Sequence, residues 1–182
     1  MDFIEYKFKV NFHVNDLTKL HLAAIMKFIL LTHERELNKS TNTGRIVKEI
    51  LGDDAEIILW KRKEPNEFLV SLLETKKAAL VFPVNESEFS DNTPESYEYL
   101  VILDATWQEA RKMFNRSSYL NQADKVSLKT TKPSVFTLRR NQIEGGLSTA
   151  ECVIALLCHQ NTSDKLKLLE QRFELFNGGV GR

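Results

Sequence analysis

Two rhythms of apolar and polar positions alternate along this chain. Short, nearly continuous apolar runs occur at Ala23–Leu31, Ala55–Trp60, Ala78–Val81 and Leu100–Leu103, with a briefer one at Lys125–Leu128. Runs of that length, rich in β-branched residues and closed by polar residues or by Pro83, predict strands buried on both faces, as in a parallel sheet. Between them the spacing turns helical. Ile46, Val47, Ile50 and Leu51 share one side of a helix that opens near Asn42-Thr43-Gly44-Arg45, where Asn42 or Thr43 is the candidate cap. Pro65 suits the first turn of a helix through Leu73, with Phe68, Leu69, Leu72 and Leu73 apolar. Trp107, Ala110 and Phe114 form a stripe separated by Gln108, Glu109, Arg111 and Lys112, and Val153, Ile154, Leu156 and Leu157 mark another helix. In 163–176, Leu166, Leu169, Phe173 and Phe176 make an amphipathic stripe that Leu168 and Leu175 broaden, and Gly178–Arg182 reads as a frayed tail. Strand and helix alternate almost throughout, so the fold class is α/β, with a mostly parallel sheet flanked by helices.

The sharpest change of rhythm is at Tyr99–Met113, where an apolar strand runs through Asp104-Ala-Thr-Trp107 into a helix. Asp104 and Thr106 therefore lie at the carboxyl end of a strand, the edge at which open α/β sheets bind ligands. Capping of the helix by either side chain is the competing reading. Ser148 with Glu151 three residues on is a capping box ahead of an apolar helix.

The length of 182 residues suits one well-cored domain, 1–182, with an N-terminal arm at 1–20 and a C-terminal helix and tail at 163–182. The 25 basic residues balance the 25 acidic ones, so nucleic-acid binding has to come from a local patch. Candidates are Arg111, Lys112 and Arg116 on one helix, with Lys129, Lys132, Arg139 and Arg140 beyond it. The two cysteines, Cys152 and Cys158, fall on different faces of one predicted helix, which does not suit a disulfide. With no signal peptide and no apolar run of membrane-spanning length, the chain is expected to be cytoplasmic, without a membrane partner. Cys152 and His159 are about 10 Å apart along a helix, too far to share an ion, and no other His/Cys cluster suggests a metal.

Asp104-Ala-Thr-Trp107 followed by Ala110-Arg111-Lys112 resembles the signature of the DTW-domain family, a branch of the SPOUT (α/β-knot) superfamily. Further stretches resemble that family in its order: Thr32-His33-Glu34-Arg35-Glu36, with Glu34 where the family has proline; Asn42-Thr43-Gly44-Arg45; Phe82-Pro83; Phe136-Thr-Leu-Arg139; and Leu147-Ser148-Thr149-Ala-Glu151. The N-terminal cysteine cluster that resembles a zinc site in related members is absent here, which puts the RNA target in question. The resemblance implies a C-terminal trefoil knot. It also implies transfer of the 3-amino-3-carboxypropyl group of S-adenosylmethionine to N3 of a uridine in tRNA, without a metal. Two other activities are open: RNA methyl transfer by a SPOUT-type enzyme, and non-catalytic RNA binding on the same fold.

On this resemblance Asp104 is the expected base, with Thr106 and Trp107 shaping the turn and wall. An ordinary carboxylate is too weak to hold a uridine imide proton beforehand, so it would need burial, or would accept the proton only as the new bond forms, or would merely orient the base. The implied donor pocket comprises Phe82, Pro83, Leu103, Arg139, Leu147, Ser148, Thr149 and Glu151. Within it, either Arg139 or the amides at the helix start near Ser148 would hold the donor's carboxylate, and Glu36 or Glu151 its ammonium. His33, Glu36, Asn42, Thr43, Arg45, Arg111 and Lys112 are the expected substrate-binding residues.

Overall fold

Period-two alternation in two central strands sets the architecture. The computed structural model describes residues 26–83, 92–128, 133–138, 146–159 and 163–179. Its strands are β1 (Lys27–Thr32), β2 (Ala55–Leu59), β3 (Ala78–Val81), β4 (Tyr99–Asp104) and β5 (Lys125–Val126). They form one five-stranded sheet in the order β2-β1-β4-β3-β5, with every pairing parallel. The helices are α1 (Glu34–Leu37), α2 (Gly44–Leu51), α3 (Glu67–Glu74), α4 (Trp107–Asn115), α5 (Ser118–Gln122), α6 (Thr149–His159) and α7 (Ser163–Gly179).

Phe28 and Leu30 of β1, with Leu100 and Ile102 of β4, face a core built with α2, α6 and α7. Ile29, Leu31, Val101 and Leu103 face the opposite core, built with α3, α4 and α5. Coverage of both faces explains why these strands read as unbroken apolar runs. The same alternation puts Thr32 and Asp104, partners in the last rung between β1 and β4, on the α2/α6 side. The chain leaves β1 over one face toward β2 and leaves β4 over the other toward β5. The carboxyl ends of β1 and β4 thus meet where the winding reverses, the position at which such sheets open a ligand crevice.

Several local expectations shift. Asn66, not Pro65, begins α3: its Oδ1 accepts the Leu69 amide at 3.0 Å, leaving Pro65 outside the helix. The stripe of α7 is core as expected for Leu169, Phe173 and Phe176, but Leu168 and Leu175 point away, 52% and 71% exposed. Phe68 of α3 is likewise on the outside. Gly178 and Gly179 continue α7 instead of fraying, in a last turn anchored by Asn177, whose Nδ2 donates to Val135 O and whose Oδ1 accepts from Thr137 N. The short helices α1 and α5 had no periodic signal, and β5 is only two residues long. The N-terminal arm, the start of the first apolar run at Ala23 and most of the acidic segment after Pro83 lie outside the described residues. Among the described residues no helix is long and apolar enough to cross a membrane.

Leu30 is fully buried between β2 and β4, so Leu30→Ala is expected to lower unfolding free energy in urea by about 2–5 kcal/mol. Leu168→Ala, on the exposed side of α7, should stay within about 0.5 kcal/mol of wild type.

Candidate active site at the carboxyl edge of the sheet

The Asp104 carboxylate closes β4 and is only 3% exposed. Its Oδ1 accepts the Thr149 hydroxyl at 2.7 Å, and its Oδ2 accepts the Asn42 side-chain amide at 2.9 Å. The Thr32 hydroxyl lies 3.1 Å from both Oδ2 and the Leu30 carbonyl, so its single proton serves one at a time. Asn42 also donates to Glu36 O and accepts the Arg45 amide through Oδ1, which makes it the side-chain cap of α2. Gly44 sits against this cluster: a Cβ there would lie 2.7 Å from Asp104 Oδ2 and 3.0 Å from Asn42 Oδ1. Space, not backbone dihedral, therefore requires glycine. Hydrogen bonds to a charged acceptor contribute roughly 1.5–3 kcal/mol each, and an unpartnered buried carboxylate would be costly.

Thr149 belongs to a second cluster that fixes the start of α6. The Ser148 amide donates to Glu151 Oε2 at 2.7 Å and the Glu151 amide donates to Ser148 Oγ at 3.3 Å, the reciprocal capping box written in the sequence. Glu151 further accepts the Val135 amide at 2.8 Å and the Ser134 hydroxyl, tying residues 134–135 to α6. Thr43, the other candidate cap of α2, makes no side-chain cap there; its hydroxyl accepts the Ala150 amide of α6 at 3.2 Å. The amides of Ser148, Ala150 and Glu151 are thus consumed inside the protein. Those three donors are therefore already occupied at the helix start where the donor's carboxylate was expected. Glu151 is likewise buried and takes three donors within the protein.

On the other face of the edge, Thr106 caps α4. Its Oγ1 accepts the Glu109 amide at 3.3 Å and donates to Glu109 Oε2 at 2.9 Å. Trp107, Phe82 and Phe114 are half-buried and stacked in a column, with centroids 5.8 Å apart for Phe82–Trp107 and 4.4 Å for Phe82–Phe114. Lys125 lies 5.7 Å from the Phe114 ring centre. Leu103 is buried beneath, and Pro83 is exposed at the rim. Beside this wall, the His33 Nδ1 accepts the Arg35 amide at 3.2 Å and its ring stacks on Trp60 at 5.6 Å. Trp60 Nε1 in turn donates to Ser117 Oγ at 3.0 Å. Buried Glu36 pairs with Lys39, and buried Glu109 meets Arg35 Nη1 at 3.4 Å. Burial pushes the Glu109 carboxyl up, but the Thr106 hydroxyl, with electrostatic help from the nearby His33 and Lys39 side chains, outweighs it and holds the group below its ordinary value.

The fold therefore gathers Phe82, Asp104, Thr106, Trp107, Ser148, Thr149, Glu151, His33, Glu36, Asn42 and Thr43 at one edge, with half-buried Leu147 in the segment entering α6. Arg45, whose Nη2 reaches Ser40 O, and Arg111 and Lys112 are exposed around it. Arg139, Lys129, Lys132 and Arg140 lie outside the described residues. Sequence reading passed over Thr32, Gly44 and Glu109. For Glu109 a signal existed, since Thr106-x-x-Glu109 has the capping-box spacing; Thr32 and Gly44 gain meaning only through residues remote in sequence.

A family model, that of the DTW domain, matches residues 12–179. A protein of Macaca fascicularis named tRNA-uridine aminocarboxypropyltransferase 2 is 25% identical over 135 residues, 70% of this chain and 45% of that protein. Proteins of the same name from Drosophila melanogaster and Mus musculus are 24% identical over 172 residues (87% of this chain, 68% of that protein) and 30% identical over 135 residues (70% and 45%). The chain spans less than half the length of the macaque and mouse relatives. No solved structure matches it.

By helix propensity alone Gly44→Ala would stabilise α2 by about 1 kcal/mol. The crowding at Asp104 reverses that sign: a loss of about 1–3 kcal/mol is expected in urea titrations, and a gain would refute the packing described. Because the Glu109 carboxyl is lowered, its contribution to stability is complete above the ordinary glutamate range and lost as pH falls through its folded value. The stability gap between wild type and Glu109→Gln should accordingly narrow on acidification; a constant gap from neutral to strongly acidic pH would contradict the charge arrangement.

Proposed function

We propose that this chain, which belongs to the DTW domain family, transfers the 3-amino-3-carboxypropyl group of S-adenosylmethionine to N3 of a uridine in tRNA. The observation that carries the reading is the meeting of three segments at the carboxyl ends of β3 and β4: residues 82–83, 104–107 and 146–149 are joined through the Asp104–Thr149 bond and the Phe82–Trp107 stack. The names of the similar animal proteins support the same transfer. The family resemblance also implies the trefoil knot of SPOUT folds, and an all-parallel sheet covered by helices on both faces is compatible with it.

The donor is a substrate consumed in the reaction, and when bound it supplies a methylene carbon activated by an adjacent sulfonium. The residues present suit it. Half-buried Phe82, Trp107 and Leu147 offer low-polarity cover where a sulfonium charge is lost, and Arg139 is the guanidinium proposed for the carboxylate. Asp104 acts here as the anchor of the surrounding segments: with Thr32, Asn42 and Thr149 it holds β1, α2 and α6 in one geometry, so that the nucleophile and carbon are brought together with little reorganisation. Exposed Arg111, Lys112 and Arg116 on α4, with Arg45, are the proposed phosphate contacts of the tRNA.

Incubating the protein with S-adenosylmethionine and tRNA, followed by mass spectrometry of the nucleosides, is expected to yield aminocarboxypropyl-uridine. A methylated nucleoside would point to the sister reaction. No product together with no donor binding by calorimetry would leave only RNA binding. Arg111→Ala should weaken tRNA binding and reduce the slope of log affinity against log salt by about 1, as expected for one lost phosphate contact.

A further inference from the structure

In the transfer proposed above, the uridine N3 has to lose a proton. Resting on that reading, we propose that Glu109, not Asp104, accepts it. Asp104 is ill placed for the task. Both its oxygens already take donors, from Thr149 on Oδ1 and from Asn42 on Oδ2, with the Thr32 hydroxyl shared between Oδ2 and the Leu30 carbonyl. Gly44 backs directly onto Oδ2, and even a methyl group would not fit. Asp104 is thus committed to holding the surrounding segments together.

Glu109 is arranged differently. One oxygen, Oε2, is fixed by the Thr106 hydroxyl at 2.9 Å, which orients the carboxylate two residues beyond Trp107. Among the described residues the other, Oε1, meets the Arg35 guanidinium at a long 3.4 Å, and that side chain is 72% exposed and so readily exchanged for a substrate. A carboxylate is too weak to deprotonate an imide beforehand, so transfer accompanies bond formation. The N3 proton passes to Glu109 Oε1, the former N–H pair becomes the N3–carbon bond, and the carbon–sulfur bond breaks with its pair on sulfur. The sulfonium leaves as a neutral thioether, and Glu109 returns the proton to solvent.

Glu109→Gln tests this, since a glutamine oxygen can still accept from Thr106. Single-turnover rates on tRNA are to be followed across pH, with donor affinity by calorimetry and tRNA affinity measured alongside. The expected result is a rate loss of about 100-fold or more with both affinities within about twofold of wild type, and disappearance of the acid limb of the pH–rate profile. Glu109→Asp, which keeps a carboxylate, should recover about tenfold over Glu109→Gln and retain the acid limb. Turnover of Glu109→Gln near wild type, equal losses in the two variants, or a fall in donor affinity matching the fall in rate would each overturn the assignment. These failures are distinct from that of the underlying reading, which fails if the wild-type protein itself makes no aminocarboxypropyl-uridine.

Discussion

A carboxylate removed from water has to find donors elsewhere, and Asp104 finds them in three remote parts of the chain. Thr32, Asn42 and Thr149 are 72, 62 and 45 residues away in sequence. The cluster is therefore complete only when β1, the start of α2 and the start of α6 have all docked on β4. Asn42 carries a second duty, capping α2 and holding Glu36 O, and Thr43 beside it caps α6 across the interface. Loss of any one member leaves others unsatisfied, so their contributions are strongly coupled rather than additive.

The buried acids at this edge have separate employments. Asp104 joins secondary-structure elements. Glu151 binds the 134–135 segment to the first turn of α6 through the amides of Ser148 and Val135 and the hydroxyl of Ser134. Glu109, fixed at one oxygen and loosely held at the other, has capacity to spare. Where acceptors are saturated a group is structural, and where one lone pair faces an exchangeable partner chemistry has room. That contrast is what the proposal for Glu109 rests on.

The edge is also divided by polarity. On the α4 side, Phe82, Trp107 and Phe114 form an apolar column; beside it, His33, Arg35, Glu36, Lys39 and Glu109 mix both signs of charge. A net charge of zero over the whole chain is compatible with this, because the charges that matter are local.

Much of the fold was legible in the sequence. The apolar runs gave β1 to β4, helical spacing gave α2, α3, α4, α6 and α7, and Ser148-x-x-Glu151 announced its capping box. These features are encoded by residues within a turn or a strand of one another, so their periodicity survives in one dimension. The exposure of Leu168 and Leu175, the crowding that demands Gly44, and the saturation of Asp104 were not legible. They depend on which strands lie side by side and which helix ends meet above them. A strand order that places β4 between β1 and β3 decides that Thr32 stands next to Asp104, and nothing in the local pattern of either strand records it.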